Sequence, residues 1–149
     1  MSTSTLSQVT AQTEIAEALA SWTKAFCSKD LDSLMSHYAD DVVEYDVKPP
    51  LQNKGSSAVR QIFADCFPCF PENFSLEIRD QYIHAGDDVA AIHRFTRVVC
   101  DDRNHPAAQN WLRVTAVYRK LAGQWKIVHD HVSFTFDFSK GQIAFGLQP

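Results

Sequence analysis

No run of 18 consecutive apolar residues occurs in this 149-residue chain, so no helix is expected to span a membrane. Basic clusters are missing too. Fourteen Lys and Arg against eighteen Asp and Glu leave a net charge of −4, without the positive patch that nucleic acid binding needs. The opening Met-Ser-Thr-Ser-Thr-Leu-Ser-Gln-Val-Thr lacks both the basic and the apolar region of a secretory signal. Residues 1–11 read as a short flexible tail, and a cytoplasmic location is expected. The four cysteines, Cys27, Cys66, Cys69 and Cys100, are then expected as reduced thiols. Cys66-Phe-Pro-Cys69 has no second pair after it for a zinc site and no strand-turn-helix before it for a redox pair. It reads as a helix end with two half-buried thiols. Nucleophile motifs, glycine-rich phosphate loops and cofactor fingerprints are absent, and no cofactor is expected.

What is present fits one α+β domain over residues 12–149. The composition, 45% apolar and 21% charged, suits a globular protein, and the length allows a core of its own. From Ile15 to Phe26 the apolar positions 15, 18, 19, 22 and 26 form a helical stripe centred on Trp22. Asp30 is a candidate N-cap for a second short helix carrying Leu31, Leu34, Met35 and Tyr38. Asp40-Asp41 ends that helix and Val42–Asp46 reads as a strand, followed by a turn-rich loop at Lys48–Gly55. A third helix is expected near Ser57–Phe67, closed by Pro68 and Pro71. The period then changes to alternation, giving strands at Phe74–His84, Val89–Cys100, Asn110–Leu121 and Trp125–Phe136. Helices preceding a mainly antiparallel sheet long enough to curve leave a cavity between the two layers.

Strand parity nominates the residues that face this cavity. In Trp125-Lys-Ile-Val-His-Asp-His-Val-Ser-Phe-Thr-Phe136 the even positions are Lys126, Val128, Asp130, Val132, Phe134 and Phe136. Asp130 is the one acid on that mostly apolar face. It is either a cavity acid or the ion-pair partner of an arginine such as Arg94. Asn110, Val114 and Tyr118 lie on the matching face of the preceding strand. His93 faces the same cavity if Ala91 and Phe95 point inward with it. A histidine and an acid across an apolar cavity are the parts of general acid–base catalysis. The opposite face collects Trp111, Trp125, Ile127, His129 and His131, and a homodimer through this outer sheet face is expected. His129-x-His131 has a spacing that can hold a metal, yet the neighbouring strand offers Arg113, Thr115 and Arg119 in place of a third ligand, so no metal is expected.

Three segments, "KDLDSLMSHYADDVVEYD", "KG" and "VYRKLAGQWKIVHDHVS", resemble the SnoaL-like and ketosteroid-isomerase-like branch of the NTF2-like superfamily over residues 12–136. The closing strand is also similar to that of calmodulin-dependent kinase association domains. The resemblance implies a cone in which three N-terminal helices pack on a strongly curved, mainly antiparallel sheet enclosing a pocket. In ketosteroid isomerases a strand aspartate after the Ala-Asp-Asp turn moves a proton beside an enone carbonyl, and Asp46 holds that place. Their oxyanion hole pairs a first-helix tyrosine with a protonated aspartic acid on the penultimate strand. Those positions correspond here to Trp22 and Val114, so that donor pair is not carried over. The resemblance thus implies an isomerase-, dehydratase- or cyclase-type enzyme acting on a small apolar oxygenated molecule. Asp46, His93 and Asp130 are its candidate catalytic residues, and Trp22, Tyr45, Phe63, Asn110, Tyr118, Val128 and Val132 its candidate ligand contacts. A noncatalytic binding or assembly module is the alternative.

Overall fold

The computed structural model describes the backbone of residues 3–149 and the side chains of residues 6–149. Helix α1 spans Thr3–Cys27, so helix replaces the expected tail from Thr3 onward, and residues 1 and 2 lie outside the described residues. Its apolar stripe buries Ala11, Ile15, Leu19, Ala25 and Phe26 against the sheet. Glu14 ties the helix down: its carboxylate accepts Lys120 Nζ at 2.8 Å and Trp125 Nε1 at 2.6 Å. Helix α2 (Leu31–Met35) starts at the Asp30 cap, whose Oδ1 accepts the Ser33 amide at 3.0 Å. It ends three residues before Tyr38, which instead opens strand β1 (Tyr38–Tyr45). Strand β2 (Asn53–Lys54) pairs with β1, and helix α3 (Ser56–Cys66) starts after Gly55, whose φ of 87° suits only glycine. A 3-10 turn at Phe67–Cys69, carrying Pro68, stops α3.

Four long strands complete the main sheet: β3 (Ser75–Ala85), β4 (Val89–Val99), β5 (Leu112–Leu121) and β6 (Gln124–Ser133). The β5–β6 turn is Ala122-Gly123, with φ of 49° and 79°, the two left-handed residues of a type I′ hairpin turn. A small hairpin, β7 (Phe136–Asp137) with β8 (Gln142–Ile143), stands apart as a second sheet. The main sheet has the order β2-β1-β6-β5-β4-β3. Every neighbouring pair is antiparallel except β1–β6, which is parallel. The fold is therefore the expected α+β arrangement of N-terminal helices on a curved sheet, with the aromatic core between the layers. Trp22 stacks on Phe26 at 5.0 Å between ring centroids, and Phe26 touches Phe63, Phe67, Phe70 and Phe74.

Two bulges decide which side chains face inward. On β6 the register runs Val117 to His129 and then Tyr118 to Ile127, leaving Val128 without a partner on β5. The extra residue reverses parity, so Ile127 and Asp130 both point into the core. On β3, Arg79 pairs with Phe95 and Tyr82 with His93, so Asp80 and Gln81 together oppose Arg94. Asp80 takes a φ of 47° there, and Gln81 Oε1 is brought to 3.2 Å from Arg94 Nη1.

The outer face differs from the sequence reading accordingly. Ile127 is core, and Trp125 packs on the helix side through Glu14. Trp111 is only 9% exposed, with the Arg79 and Arg97 guanidinium groups 5.0 and 4.9 Å from its ring centroid and Gln148 accepting its Nε1–H. Strand alternation placed Ile127 and Trp125 outside wrongly, whereas Trp111 keeps its expected outer face but is covered there by the two arginines.

Candidate functional site

The cavity between the helices and the sheet measures about 290 Å³. Apolar groups make most of its wall, including Leu19, Trp22, Phe26, Phe63, Ile92 and Ala116. Its charged residues are few: Glu44, Asp46, Lys48, Arg94 and Asp130. Three of these, Glu44, Arg94 and Asp130, are 2%, 5% and 6% exposed. Burying charge against apolar wall costs stability, so each must be explained.

Sheet register assembles the buried group. Ile92, Ala116, Asp130 and Glu44 lie in one row across β4, β5, β6 and β1. The small Ala116 side chain leaves space beside Asp130. Arg94 enters from the next row, with its guanidinium 5.7 Å from the Trp22 ring centroid. A hydrogen-bonded chain then runs from Trp22 Nε1 to the Tyr38 hydroxyl at 3.0 Å, and from that hydroxyl to Asp130 Oδ2 at 3.2 Å. Glu44 Oε2 accepts Asn53 Nδ2 at 3.3 Å. Among the described residues, Asp130 Oδ1 and Arg94 Nε are the buried side-chain polar atoms without a partner. One lacks a donor and the other an acceptor, and both belong to residues of the cavity wall.

Burial sets the protonation of the carboxyl groups. It pushes Asp130 from 3.8 up to about 6, against the opposing pull of the Tyr38 hydrogen bond and the Arg94 charge. Glu44 rises from 4.5 to about 7, first by burial and then by the charges of Asp130 and Asp46. The ionised Asp130 carboxylate opposes ionisation of Glu44, so near neutrality the two carboxyl groups are poised to hold a proton between them. Burial also raises Tyr38 and Tyr118, which stay neutral donors, and pulls Arg94 below its ordinary value.

Of the residues expected from sequence, Trp22, Asp46, Phe63, Asn110, Tyr118, Asp130 and Val132 line this cavity. Asp46 sits at the mouth, where its Oδ1 accepts the Lys48 amide at 2.9 Å and closes a turn. His93 does not belong. Ala90, Ile92, Arg94, Thr96 and Val98 point inward on β4, which turns His93 outward, stacked on Tyr82 and 3.2 Å from His84 Nε2. Tyr45 is likewise outside, edge-on to His129 and His131, and Val128 is the bulged residue. Two contributors, Tyr38 and Glu44, were missed, and Arg94 was expected only as a candidate ion-pair partner of Asp130. Tyr38 was hidden by the helix reading of its segment. Glu44 shares parity with Val42 and Asp46. Arg94 is the lone charge among the inward Ala90, Ile92, Thr96 and Val98, the same pattern that singled out Asp130. No group of three His, Cys, Asp or Glu side chains is placed to hold a metal among the described residues.

A family profile described as the SnoaL-like domain matches residues 15–137. An NTF2-like protein of unknown function from Pseudomonas putida KT2440 shares 30% identity and a TM-score of 0.87, over 95% of this chain and 98% of its own. A candidate dehydratase of the NTF2-like family from Streptomyces avermitilis has 18% identity and a TM-score of 0.69, over 83% of this chain and 95% of its own. A candidate calcium/calmodulin-dependent kinase type II association domain from Thiobacillus denitrificans has 23% identity and a TM-score of 0.66, over 78% and 90%. These last two likenesses concern the fold. No functionally curated protein matches the chain.

Proposed function

This chain belongs to the SnoaL-like domain family, and from that premise we propose that it is an acid–base enzyme acting on a small, apolar, oxygenated molecule. The observation that carries the reading is the buried Trp22–Tyr38–Asp130 chain, whose other carboxylate oxygen, Oδ1, has no protein partner, in a mostly apolar cavity that Arg94, with an unpartnered Nε, also lines. A structural carboxylate would have its oxygens satisfied; this one, in the cavity wall, keeps Oδ1 without a protein partner. The reaction class is proton transfer next to a carbonyl. Ionised Asp130 takes a proton from the carbon beside it, and the C–H electron pair passes to the carbonyl oxygen as an enolate. Arg94 Nε–H donates toward that developing negative charge. Glu44, which burial and the Asp130 charge hold toward its protonated form, returns a proton elsewhere on the substrate. If it protonates carbon the outcome is isomerisation; if it protonates a departing hydroxyl the outcome is dehydration. Tyr38 positions Asp130 and holds its charge.

A second reading, ligand binding without turnover, is favoured by the outward position of His93, which leaves the cavity without an imidazole. A panel of apolar enones and β-hydroxy ketones separates the two. The expected result is turnover of at least one binder, lowered on the order of 10²–10⁴-fold in Asp130→Asn. Binding with no turnover across the panel would favour the second reading.

A further inference from the structure

We propose that Cys66 and Lys48 form a nucleophilic pair at the cavity mouth that captures apolar α,β-unsaturated carbonyl compounds covalently. Lys48 Nζ lies 2.9 Å from Cys66 Sγ, and both side chains line the cavity that holds Asp130 and Arg94. The two residues are brought together from different elements. Cys66 is the last residue of α3, and Lys48 lies in the β1–β2 loop, held by the Asp46 turn.

The end of a helix is a poor place for an anion, because the unpaired carbonyls there carry partial negative charge. An ammonium within hydrogen-bonding distance offsets this and can hold the charge of a thiolate. The sulfur is the first of the influences that raise Lys48, ahead of the charges of Asp46 and Asp65, which also draw on this ammonium. The other thiols lack this arrangement. Cys69 is exposed but does not line the cavity, and burial pushes Cys27 up.

The reaction is an addition. The Cys66 thiolate forms a C–S bond at the β-carbon, and the alkene π pair shifts through the α-carbon to the carbonyl oxygen as an enolate. The proton lost from the thiol is returned at the α-carbon, with no net oxidation. The inference rests on the cavity accepting an apolar oxygenated molecule, as proposed above, but not on proton transfer by Asp130.

Phenyl vinyl ketone is the reactive probe, and its saturated analogue propiophenone is the binding probe. Quenching of tryptophan fluorescence by propiophenone, lost when Trp22 is replaced by Phe, reports entry into the cavity. Mass spectrometry of peptides then gives the rates at Cys66 and Cys69 in the same chain. The expected result is modification of Cys66 about tenfold faster than of the more exposed Cys69, slowed by excess propiophenone. Lys48→Met should remove this advantage, and Lys48→Arg should keep most of it. If propiophenone binds and Cys66 reacts no faster than Cys69, or is indifferent to Lys48→Met, the nucleophilic pair is refuted while the cavity reading stands. Failure of propiophenone to bind would overturn both.

Discussion

Asp130→Asn should make the protein more stable, and by an amount that grows with pH. The folded state raises Asp130 from its ordinary 3.8 to about 6. A carboxyl group raised on folding binds its proton more tightly in the native state than in the unfolded chain. It therefore costs nothing at pH well below 3.8, costs progressively more as pH climbs toward 6, and reaches a constant penalty above that. At about 1.4 kcal/mol per pH unit, the full penalty is about 3 kcal/mol at pH 8 and about 1 kcal/mol at pH 4.5. Asparagine keeps the shape and an oxygen to accept the Tyr38 hydroxyl, but carries no charge to desolvate. Urea denaturation of parent and variant at the two pH values measures the difference, provided the dependence on urea has the same slope in both. A change of the opposite sign would overturn this expectation. A loss of roughly 3–5 kcal/mol at pH 8 would mean that Asp130 is the essential counter-charge of buried Arg94 and that the site is a structural ion pair.

Other substitutions test the neighbours. Tyr38→Phe removes the leading influence that lowers Asp130, so the acidic limb of any activity profile should move to higher pH. It also leaves Trp22 Nε1–H without its acceptor, at about 1–3 kcal/mol of stability by thermal or urea denaturation. Glu44→Gln removes the group raised to about 7, and the basic limb of a bell-shaped rate profile should disappear with it. Ala116→Leu fills the space beside Asp130 and should lower propiophenone affinity about tenfold or more, read by fluorescence, while the fold is retained.

Much of the fold could be read from the chain because its signals are local. The stripe through Ile15, Leu19, Trp22 and Phe26, the Asp30 cap and the Ala122-Gly123 turn each act within a few residues. Asp130 was legible for the same reason, as the one acid on a mostly apolar strand face. The rest depends on partners distant in sequence. The missing pairing partner of Val128 is a property of β5 against β6, so parity placed Val128 inside and Ile127 outside. His93 and Arg94 differ by one residue, and only the helices lying over Ile92 and Arg94 decide which of them is enclosed. Tyr38 fitted a helical stripe as well as it fits β1, and its pairing opposite Ile127 on β6 settles the choice.

Proton abstraction by Asp130 can be read without knowing the natural substrate, from hydrogen–deuterium exchange at the α-carbon of propiophenone in D₂O. Proton NMR across pH should show exchange above the buffer rate, rising as Asp130 ionises near pH 6. Asp130→Asn should reduce it on the order of 10²–10⁴-fold with the ketone still bound. Exchange no faster than buffer while propiophenone occupies the cavity, or exchange undiminished by Asp130→Asn, would contradict a catalytic role for this carboxylate.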